Sequence, residues 1–271
     1  MSDSYVLFFG VREPPFFKEV HDNELWMPPS KQALVDDLCE AVHERSQILL
    51  VGEPGAGKTC VLRALRHTLP QAGFRLTYCH NATLGRRDFY RQLCLALGLN
   101  PAATAAAVFY AVSVHVENLS RDRIHPVFLL DEAHLLHQDT LEHLHVLLNY
   151  EWDSRALLSL ILVGLPELQD RLELRKNRSL YSRIHRRLSV GPLTTEDTVE
   201  YVRMRLHRVG CDREVFTSEA LATLHEAAGS SLREIDRLAT AAMREAARRK
   251  KRLIERDVLA RVVGVLQANA D

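Results

Sequence analysis

The residues Gly52-Glu53-Pro54-Gly55-Ala56-Gly57-Lys58-Thr59 fit the spacing G-x-x-x-x-G-K-[ST]. They follow a short apolar run, Ile48–Val51, and open a helical pattern, Thr59–Leu69. In that strand–loop–helix setting the spelling has a direct chemical meaning. Glycines let the backbone curl until several N–H groups point inward at phosphate oxygens. The helix N-terminus behind them adds partial positive charge. Lys58 is placed to reach the β- and γ-phosphates, and the Thr59 hydroxyl to bind Mg²⁺. Cys60, next in the helix, completes the stretch expected to touch the nucleotide. An ordinary glycine-rich turn shares the spelling but does not require the strand before it and the helix after it.

A second group is Val127-Phe128-Leu129-Leu130-Asp131-Glu132, an apolar strand ending in two carboxylates. Beside a phosphate loop, Asp131 suits the Mg²⁺ shell and Glu132 the orientation and deprotonation of an attacking water. The plainer reading is a pair of helix-capping acids. Asp131-Glu132-Ala133-His134 also spells the DEAH box of a helicase class, but such helicases need two motor domains and this chain has room for one. His134, His137, His143 and His145 lie close in sequence. No cysteine and few carboxylates join them, so we read a solvated or interface cluster rather than a metal site.

These groups need a parallel sheet to hold them. Apolar strands at Ile48–Val51, Phe74–Cys79, Val127–Leu130, Leu157–Val163 and Leu188–Val190 alternate with helical patterns, the sign of a parallel sheet covered on both faces. After Gly191–Pro192 only helical patterns follow, near Thr195–Arg208, Ser218–Ala228, Ser231–Arg249 and Glu255–Leu266. The expected fold class is α/β: a P-loop domain with a five-stranded parallel sheet between helices, then a small all-helical domain. The expected divisions are an aromatic and proline-rich arm, 1–29, packed on the core; the P-loop domain, 30–191; and a helical domain, 192–271.

Bulk properties narrow the classes. Of 271 residues 46% are hydrophobic, enough for a core. No apolar run approaches the roughly 20 residues of a membrane span, and the first residues lack a signal-peptide pattern. The expectation is a cytoplasmic protein without a membrane partner. Basic and acidic residues balance at 35 each, so any nucleic-acid surface must be local. Five cysteines, widely spaced, read as reduced thiols.

The order of arm, phosphate loop, Asp-Glu strand, arginine cluster and helical lid is similar to AAA+ ATPases, in particular the ExeA-type group. Phe9-Gly10-Val11-Arg12-Glu13-Pro14-Pro15-Phe16 resembles that group's N-terminal signature. Leu162-Val163-Gly164-Leu165-Pro166-Glu167-Leu168 resembles its fourth-strand exit, and Gly191-Pro192-Leu193-Thr194-Thr195-Glu196-Asp197 its entry to the lid. The resemblance implies ATP and Mg²⁺ as cofactors, ATP hydrolysis, and self-assembly into a ring or filament.

It also implies particular roles. Arg183 sits where such proteins place the arginine that reaches a neighbour's γ-phosphate, with Arg186 and Arg187 as rivals. Arg233 matches the position from which the lid senses nucleotide. Leu165 stands where a polar side chain usually helps place the water, which implies hydrolysis that is slow or needs a partner. Arg86 and Arg87, after His80-Asn81-Ala82-Thr83-Leu84-Gly85, are the expected contacts to the DNA backbone.

The group contains secretion-linked ATPases and transposon-encoded ATPases of the TniB and TnsC kind. Secretion-linked members continue past the lid into a membrane segment, whereas this sequence stops at Asp271. Ser231-Leu232-Arg233-Glu234-Ile235-Asp236-Arg237 and the basic run Arg248–Arg252 are similar to the transposition branch. The expected function is therefore an ATP-dependent, DNA-binding oligomeric regulator of transposition that selects duplex target DNA and recruits a DDE transposase. The alternative is an ExeA-like ATPase that remodels an envelope or secretion complex without binding DNA.

Overall fold

The computed structural model describes residues 4–17, 21–79, 84–100, 104–150 and 154–268. Helix α1 (Ser4–Phe9) opens the chain, and α2 (Pro29–His43) leads into β1 (Gln47–Val51). Then come α3 (Lys58–Thr68), β2 (Phe74–Cys79), α4 (Arg86–Ala96), α5 (Ala105–Arg121) and β3 (His125–Leu130). Next are α6 (Gln138–Leu147), β4 (Ser159–Gly164), α7 (Glu167–Glu173), α8 (Arg178–Tyr181) and β5 (Ile184–Ser189). The helices α9 (Thr195–Arg208), α10 (Ser218–Ala228), α11 (Leu232–Arg248) and α12 (Arg256–Ala268) complete the order. The expected α/β class with a five-stranded parallel sheet and a helical domain is the observed one.

The chain forms two compact units. One comprises Pro29–Glu53 and Lys58–Val190 and holds the sheet, in the order β2-β3-β4-β1-β5 with every pairing parallel. Residues of β1, β3 and β4 are buried throughout, so their runs are continuously apolar or nearly so. The outer strands β2 and β5 alternate instead between covered and exposed positions. This alternation explains one difference from the sequence reading, which placed the fifth strand at Leu188–Val190. Ile184–Leu188 belongs to it as well, with His185 and Arg187 on its exposed side.

The other unit comprises Met1–Pro28, Pro54–Gly57 and Gly191–Asp271. Its helices start at well-formed caps. Thr194 and Asp197 make a reciprocal capping box, and Thr217 and Ser231 accept from Ala220 and Glu234 backbone N–H groups. Helix α11 buries Ile235, Leu238, Ala239, Ala242, Met243 and Ala246, one stripe at helical spacing.

The arm was expected on the ATPase core; its buried side chains belong to the lid's apolar cluster instead. Tyr5, Val6, Phe9, Val11 and Phe16 pack with Tyr201, Leu206, Phe216 and Met243. Polar contacts fix this choice. Buried Arg205 donates through Nε to the Pro15 carbonyl at 2.7 Å and through Nη2 to that of Phe17. Arg213 and Arg208 hold the carbonyls of Phe9 and Glu24, and Arg12 N donates to Val209 O at 3.1 Å. Carbonyls at and beyond the end of α1 are thus satisfied by lid arginines.

Replacing Arg205 by Met keeps volume but leaves those carbonyls without their donor. We expect a loss of about 2–3 kcal/mol in lid stability and faster chymotryptic cleavage at Phe16 and Phe17. A variant with unchanged melting temperature and unchanged cleavage would show that the arm is held by apolar packing alone.

Candidate nucleotide site

The loop after β1 is shared by the two units. In the sheet unit, Gly52 N donates to Gly164 O at 3.2 Å, tying the loop's start to the end of β4. Lys58 opens α3 and is buried; its Nζ donates to the carbonyls of Gly52 at 2.6 Å and Glu53 at 3.1 Å. The ammonium is thereby held inside the curl of backbone that a phosphate needs. Thr59 is exposed in the first turn of α3, and Cys60 half-buried. In the lid unit, Gly55 has φ +80°, and a Cβ there would stand 2.0 Å from Ser231 Oγ. Only glycine fits that position. Leu232 N, at the start of α11, donates to Gly55 O at 3.1 Å. Arg233, exposed, lies in the same first turn. Pro54 and Glu53 are exposed and Ala56 is buried.

Asp131 follows β3. Its backbone N donates to Cys79 O at 2.9 Å, which extends the β2–β3 ladder by one step. Its side chain is buried and doubly engaged: Oδ1 accepts from Glu132 N at 2.9 Å and Oδ2 from the Tyr78 hydroxyl at 2.8 Å. Burial, the bond to Asp131 and the nearby carboxylates push the Tyr78 phenol well above its ordinary range, so it remains a donor. Sequence reasoning missed Tyr78. The signal was its place on β2, paired with Leu129 in β3, two residues ahead of Asp131.

Glu132 is a non-glycine residue in the left-handed region, φ 54° and ψ 33°, with its carboxylate half-exposed. After it a 3₁₀ turn, Ala133–Leu135, carries His134. Arg171 on α7 donates to the carbonyls of His134 and, at 2.8 Å, Leu136. The Arg171 guanidinium thus braces this turn. Leu165, half-buried, follows β4. His143 packs edge-on against Tyr90 and Phe109, away from that turn's histidine contacts.

The three arginines before and within β5 differ. Arg186 donates to Glu44 at 2.9 Å and lies 3.4 Å from Glu40. Arg187 stacks over the Tyr181 ring at 4.1 Å. Arg183 immediately precedes the strand and lines a hollow of about 440 Å³ with Arg45, Arg155 and His185. Arg86 and Arg87 are exposed at the start of α4. The segment His80–Thr83 before them lies outside the described residues.

Among the described residues no group of three or more His, Cys, Asp or Glu could hold a metal ion. The oxygens expected to hold Mg²⁺, the Thr59 hydroxyl and the Asp131 carboxylate, are hard donors. One carboxylate and one hydroxyl suit Mg²⁺ that keeps its remaining positions for phosphates and water. All five cysteines are free thiols. Among the described residues no helix is long and apolar enough to cross a membrane.

A parallel sheet with this strand order, a phosphate loop after β1 and an Asp-Glu pair after β3 define a P-loop domain. Residues 30–172 match the family described as AAA domain, and the chain belongs to it. It is 34% identical over 259 residues to general secretion pathway protein A of Aeromonas hydrophila, covering 94% of this chain and 47% of that protein. The chain thus spans about half the length of this curated relative. Its fold is similar to the Drosophila ORC bound to DNA, with a TM-score of 0.70 at 18% identity over 96% of this chain and 65% of that one. It is also similar to the Aeropyrum pernix ORC1 protein in complex with DNA, at 0.63 and 20% over 89% and 66%. Cdc6p from Pyrobaculum aerophilum gives 0.61 and 17% over 87% and 68%.

Tyr78→Phe removes the hydroxyl that orients Asp131 Oδ2. With Asp131 as a magnesium ligand, the half-saturating Mg²⁺ concentration for nucleotide binding should rise about 10-fold, the scale seen when a ligand loses its supporting hydrogen bond. A magnesium titration monitored by a fluorescent nucleotide reads this directly, and an unshifted curve would remove Tyr78 from the site.

Proposed function

We propose that this chain binds ATP with Mg²⁺ and hydrolyses it. Lys58 and the loop Gly52–Cys60 hold the phosphates, Thr59 and Asp131 the metal, and Glu132 takes the proton of the attacking water. The water oxygen bonds to the γ-phosphorus as the bond to the ADP oxygen breaks. The observation that carries this reading is Lys58 buried against the loop backbone, in the same compact unit as an Asp131 whose carboxylate is already oriented. Arg183 keeps its proposed part as the trans arginine through its place immediately before β5; Arg186 pairs with Glu40 and Glu44, and Arg187 stacks on Tyr181. Arg233 keeps its proposed part as nucleotide sensor through its place in the first turn of α11.

For the work done with ATP, we place the assembly that remodels a secretion or envelope complex ahead of the transposition regulator, reversing the order reached from sequence. The support is the 34% identity to general secretion pathway protein A across nearly the whole chain. Where the chain ends bears on neither reading. A DNA-binding reading keeps one specific support, the exposed Arg86–Arg87 pair at the start of α4, two adjacent cations open to a phosphate backbone. In that reading duplex DNA and a DDE transposase are the partners.

Lys58→Ala should abolish equilibrium ATP binding, whereas Glu132→Gln should retain it and lose turnover by a factor of about 100 or more. Mixing Glu132→Gln with Arg183→Ala subunits should recover part of the turnover, because some interfaces then join an intact Glu132 to an intact Arg183. Turnover in Glu132→Gln equal to wild type would remove Glu132 as the base. Anisotropy of a labelled random duplex, with ATP analogue and a salt series, separates the two partner readings. Salt-sensitive binding that is lost in Arg86→Ala/Arg87→Ala supports DNA; none at low salt with assembled protein supports the secretion reading.

A further inference from the structure

His134 has a setting that the sequence gives no reason to expect. Its side chain is only 14% exposed and lies between the end of β4 and the Glu132 carboxylate. Its two ring nitrogens meet different partners. Leu165 N, a backbone donor, points at Nδ1 from 3.5 Å. Glu132 Oε2 lies 3.6 Å from Nε2. A backbone N–H can only donate, so Nδ1 is the acceptor, and the neutral ring then carries its proton on Nε2. That proton faces a carboxylate that can only accept. The separation is slightly longer than a hydrogen bond, within the range that a small rotation of the half-exposed Glu132 side chain would close.

The seat for the ring is built by its neighbours. A Cβ on Gly164 would come within 3.3 Å of His134 Nδ1, 3.2 Å of His134 N and 2.9 Å of Leu168 Cδ2. Glycine at the end of β4 is what lets the imidazole lie against the strand. Arg171 pins the carbonyl of His134 itself and that of Leu136, just past the turn. Glu132 by contrast has little of its own to hold it: its backbone is left-handed and its carboxylate half in solvent. A carboxylate so placed samples several rotamers unless another group selects one.

We infer that His134 is the positioning residue for Glu132: its Nε2–H holds the carboxylate in the rotamer that meets the attacking water, while Leu165 N–H fixes the tautomer from the other side. No proton passes through the imidazole; the water's proton goes to Glu132. The end of β4, whose own side chain at 165 is a leucine, thereby acts on the reaction through its backbone N–H. This rests on the proposed ATPase reading.

The test compares steady-state ATP turnover and the Kd of a fluorescent ATP analogue for wild type, Glu132→Gln, His134→Phe and His134→Gln. His134→Phe should lower kcat about 10-fold or more with KM and analogue Kd within about twofold, the pattern of an interaction used only in the transition state. His134→Gln, whose amide can place a donor near the position of Nε2, should restore most of the loss. If Glu132→Gln is inactive and His134→Phe turns over like wild type, the inference falls while the ATPase reading stands. If Glu132→Gln turns over like wild type, the ATPase reading itself falls. A readout independent of turnover is the ¹⁵N spectrum of the imidazoles, with the His134 signals assigned by their loss in His134→Gln. A neutral ring protonated at Nε2 agrees with the inference, and one protonated at Nδ1 overturns it.

Discussion

The candidate chemistry depends on strands that all run the same way. In a parallel sheet every carboxyl end lies on one edge, so groups far apart in sequence meet there without any contact of their own. Here the loop leaves β1, Asp131 leaves β3, and the Gly164–Leu165 step leaves β4, which lies between those two strands. What keeps the strands in that order is burial on both faces. Leu49, Leu50, Phe128, Ile161 and Leu162 are all sealed from water. A slip of one residue in any of these pairings would turn each strand's side chains over and move its terminal residue to the wrong face. The polar site is therefore held in place by an apolar constraint, and its own hydrogen bonds refine a position already set.

That refinement follows a common pattern in the sheet unit. Each reactive candidate is held by a neighbour not itself proposed to react: Asp131 by Tyr78, Lys58 by the carbonyls of Gly52 and Glu53, and the turn after Glu132 by Arg171. Charged groups taken from water need such partners, or burial would neutralise them. Glu132 stands apart in being half-exposed, which suits the proposed role of taking up a proton and returning it to solvent.

The parts legible in the sequence were those whose signal is local. Gly52–Thr59 and Asp131–Glu132 are short spellings, and β1, β3 and β4 are apolar runs because both of their faces are covered. The fifth strand was found only at its end. An outer strand alternates, and Arg186 and Arg187 made Ile184–Leu188 look like a loop. The arm was assigned to the wrong partner because its anchor, Arg205, lies 190 residues from the carbonyl it holds, and nothing in either segment's spelling names the other. Neither the Tyr78 hydroxyl nor the brace supplied by Arg171 was found, for the same reason. The first depends on the β2–β3 register, the second on where a short helix falls after β4. His134 was noticed as a member of a histidine group, whereas its significance comes from the missing side chain of Gly164.

The arm's attachment has a practical side. Residues 4–17 share a hydrophobic core with α9–α12 and are tied to them by arginine–carbonyl bonds. Mechanically they are part of the lid, although they lie at the opposite end of the chain from it. A fluorophore at exposed Leu7 is therefore attached to the helical unit's own core. Such a probe would report on the helical unit without altering α9, α10, α11 or α12.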